Sequence, residues 1–133
     1  MENGLTFRMV LRCINIDRSS FFYSYLLNLK ITEEWNNEEG RGCIFAFGDD
    51  GSGGELEIYE MTEKDKRFHP AFRTPLNNDK IDIQLKCSSL DEWINKLTGK
   101  VDLEGPEETP WGRRLIKFRD PDNLLIAIYE EKA

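Results

Sequence analysis

The sequence predicts an α+β fold made of two β-α-β-β-β modules in tandem. Two internal echoes and the apolar periodicity between them carry that prediction. Near the C-terminus, Ile126-Ala127-Ile128-Tyr129-Glu130 matches Leu56-Glu57-Ile58-Tyr59-Glu60 at an offset of 70, with one carboxylate replaced by a methyl. Leu11-Arg12-Cys13-Ile14-Asn15-Ile16-Asp17 matches Leu85-Lys86-Cys87-Ser88-Ser89-Leu90-Asp91 at an offset of 74, keeping an apolar residue, a base, a cysteine and an aspartate in register. Repetition of a whole supersecondary unit is the signature of duplication. A chain of 133 residues is the usual size of one domain. Residues 1–133 are therefore read as one domain: module one over 5–60, a linker over 61–79 and module two over 80–131.

In module one, Phe7–Ile14 alternates as a half-buried strand, with Met9, Leu11 and Cys13 on one face and Arg8, Val10 and Arg12 on the other. Asp17 is the expected helix N-cap. Phe22 with Leu26, and Tyr25 with Leu29, give a four-residue apolar stripe, and Asn28 can close the helix in a left-handed conformation. Lys30–Trp35, Gly42–Phe47 and Glu55–Glu60 read as strands separated by polar, glycine-rich turns at Asn36–Gly40 and Gly48–Gly54. Residues 61–79 lose periodicity and contain Pro70, Pro75 and the single histidine, His69. In module two, Ser88 or Ser89 caps a helix with Leu90, Trp93, Ile94 and Leu97 on its apolar face and Gly99 beyond it. Strands are expected near Lys100–Leu103, Arg113–Phe118 and Leu124–Tyr129.

Composition narrows the function classes. The net charge of −7 is spread as 8 basic against 13 acidic residues over 1–70 and 10 against 12 over 71–133, so neither half has the basic footprint of a nucleic-acid binder. No apolar run approaches the ~20 residues that span a bilayer, and no signal-peptide pattern follows Met1. No membrane association is expected. Cys13, Cys43 and Cys87, odd in number and widely spaced, read as reduced small apolar residues, which places the chain in the cytoplasm. The Gly48–Gly54 loop carries two aspartates, no lysine and a strand after it, unlike a phosphate-binding loop. His69 has no serine or cysteine motif beside it and reads as an exposed linker residue.

The strand and helix Arg8-Met9-Val10-Leu11-Arg12, Asp17-Arg18-Ser19, Phe22-Tyr23 and Leu26-Leu27-Asn28-Leu29, with the turn Trp111-Gly112-Arg113 and the hairpin Phe118-Arg119-Asp120-Pro121-Asp122-Asn123, resemble the vicinal oxygen chelate superfamily. That group includes glyoxalase I, extradiol dioxygenases, fosfomycin-resistance enzymes and the bleomycin-resistance binding proteins. Asn28 stands where the family usually has glycine, and Asp122 is followed directly by Asn123 where glycine-asparagine is usual. The resemblance covers nearly the whole chain. It implies a curved mixed sheet around a concave site, with the helices outside, and a homodimer, in some members with modules exchanged between chains.

The family's metal pattern takes one ligand from the first strand and one from the fourth strand of each module. Carried over by position, these are Arg8, Glu57, Asp82 and Ala127. A guanidinium has no lone pair to offer, and alanine has no donor. A divalent ion about 4 Å from the Arg8 charge would be opposed by roughly 8 kcal/mol at an effective dielectric near 20. No cofactor is therefore expected, a divalent metal is disfavoured, and Arg8 is expected to pair with Glu57 or Asp82 in the metal's place. The implied function is metal-independent small-molecule binding of the bleomycin-resistance kind, with contacts from Arg8, Glu57, Tyr59, Asp82, Trp111 and Tyr129. The alternatives are a divergent metal-dependent lyase or dioxygenase with Glu57 as base or ligand, and a domain that serves only in assembly.

Overall fold

The computed structural model describes residues 2–131 and divides the chain into two compact units, Met1–Thr74 and Pro75–Ala133. The boundary falls inside the segment read as a linker. In the first unit, β1 (Arg8–Arg12), α1 (Ile16–Phe21), β2 (Lys30–Asn37), β3 (Gly40–Ala46) and β4 (Glu55–Met61) form a four-stranded sheet in the order β1-β4-β3-β2. The β1–β4 pair is parallel and the others are antiparallel. The parallel pair is what the intervening helix demands, since a crossover cannot be made by a tight hairpin.

Period-two alternation sorts this sheet cleanly into two faces. Leu11, Cys13, Cys43, Phe45, Leu56 and Ile58 are buried on the side that α1 covers, together with Ile16, Phe22, Tyr23 and Leu26. Tyr23 and Phe45, with ring centroids 5.8 Å apart, show the contact directly. Burying each such aliphatic side chain contributes roughly 1.5–3 kcal/mol. The opposite face carries Arg8, Val10 and Arg12 of β1 and Glu55, Glu57, Tyr59 and Met61 of β4, followed by Ile44 and Gly42 of β3.

The helix departs from expectation at both ends. Its N-cap is Asn15, whose side chain accepts from the Arg18 amide, and Asp17 lies in the first turn. After Phe21 the backbone widens into a π-helical turn over Phe22–Leu26, with the Leu27 amide reaching the Phe22 carbonyl. Widening rotates the side-chain register. Tyr25, expected on the apolar stripe, is instead exposed and stacks on Phe21 at 5.0 Å, while Tyr23 and Leu27 turn inward. Asn28 closes the segment at φ 58°, the left-handed conformation that glycine or asparagine supplies.

The second unit repeats the plan with β5 (Asp82–Lys86), α2 (Leu90–Leu97), β6 (Glu104–Glu108), β7 (Arg113–Arg119) and β8 (Leu125–Glu131), in the order β5-β8-β7-β6. Ser89 caps α2, and Leu90 and Leu97 are fully buried beneath it. The sixth strand lies later than Lys100–Leu103. Those residues are used in the turn that follows α2, where Lys100 and Val101 donate to the Leu97 carbonyl. The edge strand that replaces them is Glu-Gly-Pro-Glu-Glu, a poor β-former; its register shifts between Glu104 and Glu107, so Pro106 sits where a missing amide does least harm.

The Asp120–Asn123 turn is a clamp as well as a hairpin. Asp120 Oδ1 accepts from the Asp122 and Leu124 amides, Asn123 takes φ 66°, and the turn binds Leu76 through the Asp122 carbonyl and the Asn123 side-chain amide. Arg119 adds an ion pair to Asp79. The start of the second unit is thereby tied to its last hairpin. The first part of the segment read as a linker, over 62–73, is also ordered, ending in a 3-10 turn over Pro70–Arg73 that the His69 ring caps through Nδ1.

Candidate functional site

On the face of the first sheet opposite α1, Arg8 sits at the start of β1 beside two carboxylates of β4. Its Nη2 is 3.2 Å from Glu55 Oε1 and its Nη1 is 3.6 Å from Glu57 Oε1. Glu57 is the more enclosed of the two, its side chain 18% exposed between Val10 of β1 and Ile44 of β3. Two carboxylates around one cation leave the cluster with a net negative charge, and the cation contacts one oxygen of each.

The far end of the same face is aromatic. Tyr59 lies beside Gly42, which in turn lies beside Trp35 of β2, and the two rings meet edge-on at 5.6 Å. Two glycines make room for them. A Cβ on Gly42 would lie 2.4 Å from the Trp35 ring, and one on Gly40 would lie 2.6 Å from the Tyr59 ring. The Tyr59 hydroxyl donates to Asp65 at 3.0 Å, and Asp65, buried, also accepts from the amide, Nε and Nη2 of Arg67. Hydrogen bonds from Arg67 hold the Asp65 carboxyl well below the usual carboxylate range, while burial, then the bond to Asp65, pushes the Tyr59 hydroxyl up. Beside Tyr59 on β1 stands Arg12, half-buried, its guanidinium 5.8 Å from the Phe72 ring centre. Its Nε is buried with no hydrogen-bond partner among the described residues.

In the second unit, Asp82 is exposed and accepts from the Gln84 side chain at 3.2 Å. Ala127 is buried, flanked on its own sheet by Gln84 of β5 and Lys117 of β7. Lys117 pairs with Glu107 at 3.3 Å. The position equivalent to Glu57 thus has no donor and has an ammonium as its neighbour. Tyr129 lies under the Arg113 guanidinium at 4.5 Å, and Trp111 projects from its turn 73% exposed. Cys43, buried near Ser20, has its thiol pushed up to about 11 by desolvation and stays protonated at neutral pH.

The expected Arg8–Glu57 pairing is therefore present, with Glu55 as a second partner. Tyr59 is brought to the same face, but its hydroxyl is committed to Asp65. Trp111 stands exposed on the turn before β7. Glu55 could have been found from the sequence, because it lies two residues before Glu57 on one strand. So could Lys117, which stands 73 residues after Ile44, by extending the repeat to the third strands. Asp65, Arg67 and Phe72 lie where periodicity fails, and nothing in the sequence pattern marks them. Among the described residues no three His, Cys, Asp or Glu side chains are grouped so as to hold a metal. With Arg8 on Glu57 and Lys117 beside Ala127, the donor set does not fit the family's ion. No described helix is long and apolar enough to cross a membrane.

No curated protein matches the chain. Solved structures do. TnmS3, an antibiotic binding protein from Streptomyces sp. CB03234, is 18% identical with a TM-score of 0.70, covering 99% of each chain. A glyoxalase/bleomycin resistance protein/dioxygenase from Nocardioides is 15% identical with a TM-score of 0.74, covering 98% of this chain and 85% of the other. A domain of the same description from Frankia sp. EAN1pec is 16% identical with a TM-score of 0.66, covering 99% of each. Such identities speak for the fold alone, but a family model matches residues 7–128, most of the sequence. The chain belongs to the glyoxalase/bleomycin resistance protein/dioxygenase superfamily.

Proposed function

We propose that the protein is a metal-independent binding protein for a small molecule, received on the face of the first sheet opposite α1. The observation that carries this reading is the Arg8 guanidinium set between Glu55 and Glu57, at the strand position from which the family pattern draws a metal ligand. An ion pair there does the charge-balancing work of a cation without leaving coordination sites open for chemistry. Ala127 beside Lys117 removes the corresponding donor from the second module. The face is also more than the wet side of a sheet: Ile44, Tyr59 and Met61 are buried on it, whereas Arg8 and Glu55 keep substantial exposure. Apolar surface with a few fixed polar groups is how small-molecule sites are built. TnmS3, described as an antibiotic binding protein, has the same fold. The assembly proposed with this function is a homodimer.

The test is metal analysis of chelator-treated protein, followed by thermal shift against a small-molecule panel in the presence of chelator. A ligand specific to the native state raises the melting temperature by mass action. The expected result is a metal-free protein with ligand-dependent stabilisation that survives chelation and weakens in Glu57→Gln and in Arg8→Gln. One stoichiometric divalent ion per chain, lost in Glu57→Gln, would overturn the reading.

A further inference from the structure

The two arginines that β1 presents on this face differ in one respect. Arg8 is neutralised by Glu55 and Glu57. Arg12, four residues along the strand and so about 13 Å away, has no carboxylate and no hydrogen-bond acceptor among the described residues, and its one interaction there is with the Phe72 ring. Asp65, bound to Tyr59 beside Arg12, is already filled by Tyr59 and Arg67. A half-buried guanidinium with an enclosed, unmatched N–H is costly to maintain, because water is partly withdrawn and no counter-charge replaces it. The 62–73 segment nevertheless holds it in place. Thr62 is anchored to the Glu38 and Glu39 carbonyls, Phe72 stacks edge-on with Phe68 at 6.4 Å, and Arg73 lies over Phe68 at 4.8 Å. What this arrangement can satisfy is a ligand oxyanion, which accepts from the planar guanidinium fork while a flat apolar body lies among Phe72, Tyr59 and Trp35.

We infer that Arg12 is the anion-recognition residue of this face, and that the ligand is a small molecule bearing a carboxylate or phosphate next to an aromatic or planar group. This deepens the binding reading above and rests on it. Arg8 does not compete for the anion, since its own cluster is net negative. The ligand is oriented with its oxyanion on Arg12, at the end of the sheet where β1 and β4 finish and the 62–73 segment crosses, and with its apolar body on the Phe72, Tyr59 and Trp35 side.

The experiment titrates the full-length protein with benzoate, phenyl phosphate, benzyl alcohol and benzylammonium. Affinity is read by calorimetry and location by NMR of the Arg12 Nε–H and the Trp35 indole. Benzoate or phenyl phosphate should bind and shift the Arg12 Nε–H, and whichever binds better names the oxyanion. Arg12→Gln should weaken that binding about tenfold or more, as loss of a charge-assisted pair does. Arg12→Lys should retain part of it, and Arg18→Gln, a charge change on the exposed side of α1, should leave it unchanged. Equal affinity of the anions for wild type and Arg12→Gln overturns the inference. So does binding of benzyl alcohol or benzylammonium at Trp35 without binding of either anion, in which case small-molecule binding on this face stands without its anion preference. If no probe perturbs Trp35 or Arg12, the anion inference falls, and the binding reading is decided separately by the metal analysis and the ligand panel.

Discussion

At the level of single residues, the same chemistry recurs with different consequences according to what surrounds it. Glu57 and Ala127 occupy equivalent strand positions, yet one carboxylate is paired with Arg8 and its counterpart is a methyl beside Lys117. Such substitutions are legible in sequence, because strand alternation tells which residues share a face. The Tyr59–Asp65–Arg67 group was not, because Asp65 and Arg67 lie in a segment without periodicity, where only tertiary structure brings them under Tyr59. Its consequence is a pH effect of definite sign. Asp65 has its folded-state acidity raised by Arg67, so its pKa is lower folded than unfolded. The stability it contributes is complete above the unfolded value near pH 4 and is lost as pH falls from there toward the folded value. Asp79, held low by Arg119, and Asp50, held low by Ser52, contribute in the same window. Asp65→Asn should therefore lower the melting temperature at neutral pH and flatten the rise of stability with pH between about 2 and 4, without abolishing it. Urea titrations across that range would measure the slope, and a slope equal to wild type would contradict the assignment.

At the level of elements, each helix begins in a socket provided by the last strand of its module. Glu60 Oε1 accepts from the Ile16 amide at 2.8 Å, and Glu130 Oε2 accepts from the Leu90 amide at 3.3 Å. Arg41 pairs with Asp17 in the first module, and Arg114 with Asp91 and Glu130 in the second. The caps, Asn15 and Ser89, stand at the same offset of 74 that relates the first strands. The repeat was readable in sequence, but its use was not. Asp17 looks like the cap because helix starts are recognised by residue type, whereas one first-turn amide of each helix is met by a carboxylate 40 or more positions away. The π turn was equally hidden, since an apolar stripe at four-residue spacing presupposes the regular helix that the widening abandons. Removing the socket should cost what a lost cap costs. Glu60→Ala is expected to destabilise the fold by about 1 kcal/mol. Glu130→Ala should exceed it, because Arg114 loses a partner as well. Chemical denaturation of the two variants checks both the size and the order, and equal, negligible effects would show that water replaces the carboxylates without loss.

At the level of the whole molecule, duplication preserved the scaffold and let the chemistry drift. The β-α-β-β-β order, the strand pairing within each unit and the helix sockets are kept in both copies. Those features bury apolar surface and satisfy backbone groups, so a change in either copy is destabilising. The strand positions from which the family draws its ligands carry no such burden. There the copies now differ: Arg8 and Glu57 form an ion pair in one, while Asp82 is exposed and Ala127 is closed in by Gln84 and Lys117 in the other. If the drift replaced a metal by fixed charges, restoring one donor should not restore the ion. Ala127→Glu adds a carboxylate beside Lys117, which already pairs with Glu107, and leaves the Arg8, Glu55 and Glu57 cluster of the first unit unchanged. The single variant is expected to remain metal-free after dialysis against zinc or manganese. Within the first unit, Arg8→His removes the guanidinium, which would oppose a divalent ion about 4 Å away by roughly 8 kcal/mol at an effective dielectric near 20, and supplies an imidazole beside Glu55 and Glu57; this variant should retain about one divalent ion per chain when counted by elemental analysis. Retention by Ala127→Glu, or none by Arg8→His, would mean that Arg8 does not stand in for the metal, and the ion-pair account of this protein would have to be abandoned.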